Sequence, residues 1–189
     1  MGIFEFFRKI IGFKKRGKSA NYLIELRLTG DTKSYLKDLI FRISKKFRVK
    51  GVTRKHVVPH VTLFGSFKCS DEKELLSRFM RACKANDLPT YELNGFGNFE
   101  DRVVHVDINA SDELKQLRKD LSDSLIEISD FVQPHDHDSK ERYSFHSTLA
   151  FKDIDGKFDS IMNYLKRVEP YTQERICPKN HLAKERKNP

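Results

Sequence analysis

The run of apolar and polar residues predicts an α+β fold of two lobes, each with an antiparallel sheet and flanking helices. Three observations carry this. Strand-like and helix-like segments alternate, yet two strands, 91–99 and 102–108, follow each other directly, which disfavours a doubly wound parallel sheet. The pattern His-x-Thr-Leu occurs twice, at His60–Leu63 and His146–Leu149. The copies lie 86 residues apart and each soon runs into a helix, the spacing of an internal repeat.

In chain order, Ile3, Phe4, Phe7, Ile10 and Ile11 fall at helical spacing, and the basic run Lys14 to Lys18 ends that helix. Positive charge follows the apolar part instead of preceding it, unlike a secretory leader, and Phe6 stands where a myristoylation start has Ser or Thr. Tyr22 to Leu28 alternates as a strand. Asp31 or Thr32 can cap a helix to about Phe47 that buries Tyr35, Leu36, Leu39, Ile40 and Ile43. Gly51 breaks the chain before the first His-x-Thr strand. Residues 70–74 open a second helix by capping chemistry, with Leu75, Leu76, Phe79 and Cys83 inward. After the strand pair, Ser111 or Asp112 starts a helix to about Ile128 with a stripe of Leu114, Leu117, Leu121, Leu125 and Ile128. A polar loop, 129–144, leads into the second His-x-Thr strand. A helix near 157–168 and a strand at 171–176 complete the pattern.

Length and charge organise these elements. The chain has 189 residues, enough for one domain or two small lobes sharing a core. No apolar run is long enough to span a bilayer. Cys69, Cys83 and Cys177 are odd in number and lack a C-x-x-C pair, which argues against a disulfide framework or structural zinc and fits a reducing cytoplasm. Residues 1–20 carry six Lys/Arg against one Glu, and 174–189 five against two, leaving about +1 of the total +9 for the middle. The basic character lies in the tails, so the chain divides into a basic amphipathic helix and linker (1–20), a body (21–176) and a basic tail (177–189). The first segment suits an anionic partner, RNA or a membrane surface, or else docks on its own domain.

The chemistry is in the repeated motif. On a strand, residues i and i+2 share a face, so His60 and Thr62 project together, as do His146 and Thr148. If the strands lie side by side, two imidazoles face each other over two hydroxyls. One neutral imidazole can take a proton and one protonated imidazole can give one near pH 7. The hydroxyls can hydrogen-bond developing negative charge on a phosphate. The scheme calls on no cofactor and no metal.

On these residues the chain resembles the two-histidine phosphoesterase superfamily, in its RNA 2′,3′-cyclic phosphodiesterase and 2′-5′ RNA ligase-like branch. The resemblance spans roughly residues 21–176. It implies a bilobal α+β fold with pseudo-twofold arrangement around a central groove. It also implies a substrate that is RNA or a small nucleotide with a 2′,3′-cyclic phosphate, opened to a 2′-phosphate. His60 with Thr62 and His146 with Thr148 become the catalytic pairs, one histidine acid and the other base, with His60 assigned as acid and His146 as base and the reverse as the alternative. Where relatives carry Arg soon after the second motif, this chain has Lys152, a point charge in place of a planar fork. Tyr143 is placed to stack on a base or to pack at the groove rim. The competing readings are a nucleotide-binding module without turnover, a 2′-5′ ligase and a membrane-surface adaptor.

Other histidines carry less. His56 and His60 have zinc-helix spacing, but Pro59 opposes a helix there. His135-Asp136-His137-Asp138 has ligand types in a polar loop, read as a groove border and not a metal site. His105 alternates with core valines as a rim or structural residue. Gly95-Phe96-Gly97 lacks the third glycine of a dinucleotide loop.

Removing residues 1–20 is expected to leave turnover of a cyclic mononucleotide unchanged while weakening binding to longer RNA or anionic vesicles. Each lost single-strand phosphate contact flattens the log–log salt slope by about 0.7. A truncated protein that melts early with binding unchanged would instead identify the helix as part of the core.

Overall fold

The computed structural model describes residues 20–53, 57–87, 89–137 and 142–168. The expected N-terminal helix, His56, Asp138, the strand at 171–176 and the basic tail lie outside these residues. Strands β1 (Ala20–Arg27) and β2 (His60–Cys69) pair antiparallel in one sheet. Strands β3 (Tyr91–Phe99), β4 (Val103–Ala110) and β5 (His146–Phe151) form a second, fully antiparallel sheet in the order β3-β4-β5. Helices α1 (Gly30–Phe47), α2 (Glu72–Ala85), α3 (Asp112–Ile126) and α4 (Phe158–Leu165) flank them. The α+β architecture is the one the sequence predicts.

The halves are interlocked. Helix α1 leaves β1 yet packs against β5, and α3 leaves β4 yet packs against β2 and α2. Each motif strand is therefore covered by the helix of the opposite half. One contiguous apolar core results, including Ile24, Leu36, Leu39, Ile43, Leu63, Leu75, Leu117, Leu121 and Leu149. Full burial of such a side chain stabilises by about 1.5–3 kcal/mol. The loop after α1 is tied across as well: the Lys50 and Gly51 N–H groups donate to the Asp153 carboxylate at 2.7 and 2.9 Å. These bonds hold the Asp153 carboxyl below its ordinary value. A Cβ on Gly51 would stand 2.0 Å from the Phe151 carbonyl oxygen, so the residue that breaks the chain also permits this close approach.

Capping follows the sequence at two helices. Asp71 accepts from the Glu74 N–H and Ser111 from the Leu114 N–H. At α1 it does not: Thr29 is the N-cap and its side chain makes no cap bond. Gly30 turns the chain there with φ +60°, a conformation glycine takes without strain, so the helix begins early. Thr32, expected near the cap, falls on the buried face instead. Leu76, expected inward, is 42% exposed. Leu75, Phe79, Ala82 and Cys83 occupy the inner face at i, i+4, i+7 and i+8, and Leu76 lies a further 100° round. Tyr35 and Ile128 are only partly buried against the core.

Candidate active site

The two His-x-Thr-Leu segments repeat in backbone as well as in sequence. Arg27 lies opposite His60 and Glu25 opposite Thr62; the next pair is Ile24 with Phe64, so Leu63 is the extra residue of a β-bulge. On the other sheet Asp107 lies opposite His146 and His105 opposite Thr148; the next pair is Val104 with Ala150, so Leu149 is the extra residue. Just before each histidine the neighbouring strand closes the same bond: Leu28 N–H to the Pro59 carbonyl at 3.0 Å, and Ile108 N–H to the Phe145 carbonyl at 2.9 Å. Both bulge leucines are buried, at 0% and 1% exposure, which anchors each motif from behind. The bulge also changes the parity of the strand, so Phe151 and its partner Val103 line the same cavity as His146 and Thr148.

Each imidazole is held in the same way. The Nδ1 of His60 is 2.9 Å from the Val58 carbonyl and that of His146 2.9 Å from the Ser144 carbonyl, two residues back in each case. A carbonyl only accepts, so Nδ1 carries the proton and donates. Nε2 is then the atom left to take or give a proton. The Nε2 of His60 lies 3.8 Å from Oε2 of Glu25, whose Oε1 accepts from Arg27 Nε at 2.8 Å.

The two pairs meet in one cavity of about 600 Å³, lined by His60, Thr62, His146 and Thr148 together with Arg142, Phe99 and other residues. That size suits a mononucleotide or the end of a chain. Burial lowers the pKa of His146 below the ordinary imidazole value, and the neighbouring His105 and His60 act in the same direction. The Ser144 carbonyl and Asp107 oppose the shift. Phe99 packs edge-on against His146 at 4.7 Å between centroids. The cavity thus holds a half-buried, readily neutral imidazole together with one beside a carboxylate, with a guanidinium in its wall.

Of the remaining residues singled out in the sequence, Tyr143 lines the cavity but is not a free stacking ring. Its hydroxyl donates to the Thr62 carbonyl at 2.8 Å, and the Arg118 guanidinium lies 3.9 Å from its ring centroid. Lys152 does not line the cavity: it follows Phe151 with φ +73°, and its Nζ is 5.0 Å from the Phe151 ring centroid. The guanidinium in the wall comes from Arg142, upstream of the motif and inside a segment whose polarity alone gave no hint of its direction.

The His135-Asp136 segment forms a 3-10 turn, Pro134–His137, and acts as a latch. Asp136 is fully buried, and both its carboxylate oxygens are 3.1 Å from the Gly65 N–H, which donates. Burial pushes the Asp136 carboxyl up, opposed first by the hydrogen bond from the Gly65 N–H and also by the nearby His135 and Arg118 side chains. The Ser122 hydroxyl donates to the Asp136 carbonyl, and buried Arg118 donates to the His135 carbonyl at 2.8 Å. Gly65 has φ +110°, and a Cβ there would meet Phe67 and the Tyr22 carbonyl at 3.0 Å, so this position needs glycine. Among the described residues no group of three His, Cys, Asp or Glu side chains is placed to hold a metal ion. His135 alone of the turn lines the cavity.

The family described as the 2′-5′ RNA ligase superfamily matches residues 38–177, which include both motifs. No curated protein matches the chain. Among solved structures, Kluyveromyces marxianus Usb1 is similar at 15% identity with a TM-score of 0.42, over 75% of this chain and 78% of that one. The same protein with uridine monophosphate is similar at 14% identity and the same TM-score and coverage.

Asp136→Ala leaves the Gly65 N–H unpaired and removes the carboxylate facing buried Arg118. Leaving a buried donor without its acceptor costs about 1–3 kcal/mol. Urea unfolding of this variant is expected to show that loss, with Asp136→Asn, which keeps an acceptor oxygen, losing less.

Proposed function

The chain belongs to the 2′-5′ RNA ligase superfamily, and we propose that within it this protein is a phosphodiesterase that opens 2′,3′-cyclic phosphate ends of RNA or small nucleotides. The observation that supports this most is the meeting of two imidazoles in one cavity, each fixed through Nδ1 so that Nε2 is available. Neither the opening nor its reversal needs more than one base, one acid and donors for the phosphate oxygens.

In this reading the neutral His146 Nε2 takes a proton from a water molecule as its oxygen attacks phosphorus. Burial keeps that ring neutral to a lower pH than an ordinary imidazole, which suits a base. The P–O3′ bond breaks, and His60 Nε2–H delivers its proton to the departing O3′, leaving a 2′-phosphate. Glu25 stands where it stabilises His60 while the proton is on it. The Thr62 and Thr148 hydroxyls donate to the non-bridging oxygens, and Arg142 offers a planar pair of donors to the same charge. After the step His146 is protonated and His60 neutral, and exchange with solvent restores the starting state. With the 5′-hydroxyl of a second strand in place of water, the same proton transfers form a 2′-5′ phosphodiester as the P–O3′ bond breaks, so ligation and opening share one site.

The partner is then RNA or a nucleotide with a cyclic phosphate end. The net +5 of residues 1–20 supports a second contact with RNA or an anionic membrane surface at a cytoplasmic location.

His60→Ala and His146→Ala are each expected to cut turnover of a 2′,3′-cyclic nucleotide by roughly 10²–10⁴. The double variant should lose little more than either alone, because the two groups act as a unit. Wild-type activity is expected to survive EDTA with a bell-shaped pH profile. A folded single variant with near wild-type turnover, or activity lost to EDTA and restored by one divalent metal, contradicts this mechanism.

A further inference from the structure

The repeat is broken at one place, the pair of side chains opposite each motif. Across from His60 and Thr62 stand Arg27 and Glu25; across from His146 and Thr148 stand Asp107 and His105. Directly opposed residues of an antiparallel pair have Cβ atoms about 4.5–5.5 Å apart. Asp107 is therefore a close carboxylate neighbour of His146 on the same face of the sheet.

His105 holds that carboxylate. Its Nε2 is 3.0 Å from Oδ1 of Asp107, its side chain is 3% exposed, and its ring lies 5.1 Å from that of His146. Phe99 packs against both rings, 4.3 Å from the centroid of His105 and 4.7 Å from that of His146. The backbone of β3 makes room for the pair: a Cβ on Gly97 would stand 2.6 Å from His105 Nε2 and 3.0 Å from Asp107 Oδ2. A carboxylate accepts, so the His105 proton sits on Nε2. Its Nδ1 is buried with no hydrogen-bond partner among the described residues.

We propose that Asp107 and His105 are the positioning pair of His146. Asp107 supplies negative charge to the ring that takes the proton, and His105 fixes where that charge lies. The inference rests on the reading of His146 as the base. Its electrostatics follow from the surroundings. A second proton on His105 would have to sit on buried Nδ1, and burial holds its pKa below the ordinary value against the pull of Asp107. His105 thus stays neutral and leaves the carboxylate uncancelled. The groups facing His146 are His105 and Asp107 from β4 and His60 from β2, with Arg142 and His135 in the same cavity wall. Asp107 is the carboxylate among them. When His146 gains a proton, that carboxylate offsets part of the cost of placing charge on a half-buried ring.

The test is the NMR titration of the His146 ring Cε1–H in the full chain. Asp107→Asn keeps an acceptor for His105 but removes the charge. It is expected to move the His146 midpoint to lower pH by about 0.5–1 unit, reduced from a buried contact because Asp107 is partly exposed. Glu25→Gln, which alters the carboxylate beside His60, should leave that midpoint in place. In wild-type protein the His105 signal should stay that of a neutral ring while His146 titrates, a result that needs no variant. An unmoved or upward midpoint in Asp107→Asn, an equal shift in Glu25→Gln, or His105 protonating with or before His146 would overturn the proposal. The acidic limb of the pH–rate profile should follow the midpoint. If no cyclic phosphate is opened at any pH, the proposed reaction fails while the titration still judges the pair.

Discussion

The hydrogen bond from each histidine Nδ1 to the carbonyl two residues back is the constraint on which the site depends. It fixes the tautomer, aims the ring and leaves Nε2 as the exchangeable position. The bond is a property of the strand backbone, so any element that holds the strand also holds the chemistry. The bulge after each threonine, the leucine buried behind it and the bond closed one residue before the histidine recur in both halves. The two halves thus carry two copies of one imidazole mount that open into a single cavity.

Two copies of one mount would be chemically equivalent, and acid–base work needs them to differ. The difference comes from the neighbouring strands. Glu25 with Arg27 stands beside His60, and Asp107 with His105 beside His146, whose pKa burial lowers. The mounts are held together by the crossing of helices, α1 onto β5 and α3 onto β2. From α3 Arg118 and Ser122 reach the turn at Asp136, which grips Gly65, while Tyr143 reaches the Thr62 carbonyl. Packing, latch and site form one continuous structure.

The sequence made the fold class and the motif pairs legible because both depend on local period. Alternation in Val103 to Ile108 and helical spacing in Leu114 to Leu125 are read without knowing the partners. What it hid depends on contacts between distant segments. Asp136 looked like a solvated loop residue because its partner, the Gly65 N–H, is 71 residues away. Arg142 and Lys152 were both cations beside the motif, and only the end of β5 at Phe151 decides which lines the cavity. His105 and Asp107 did carry a signal: they alternate with core valines, so a polar pair on one strand face was visible beforehand. Its register against His146 was not.

In the proposed reaction both motifs meet on a single phosphate. Titrating the protein with a nucleoside 2′-monophosphate, and following the ring signals of His60 and His146 by NMR, tests it most directly. Both signals are expected to move together and give one dissociation constant. Movement of only one ring, or two different constants, would contradict it.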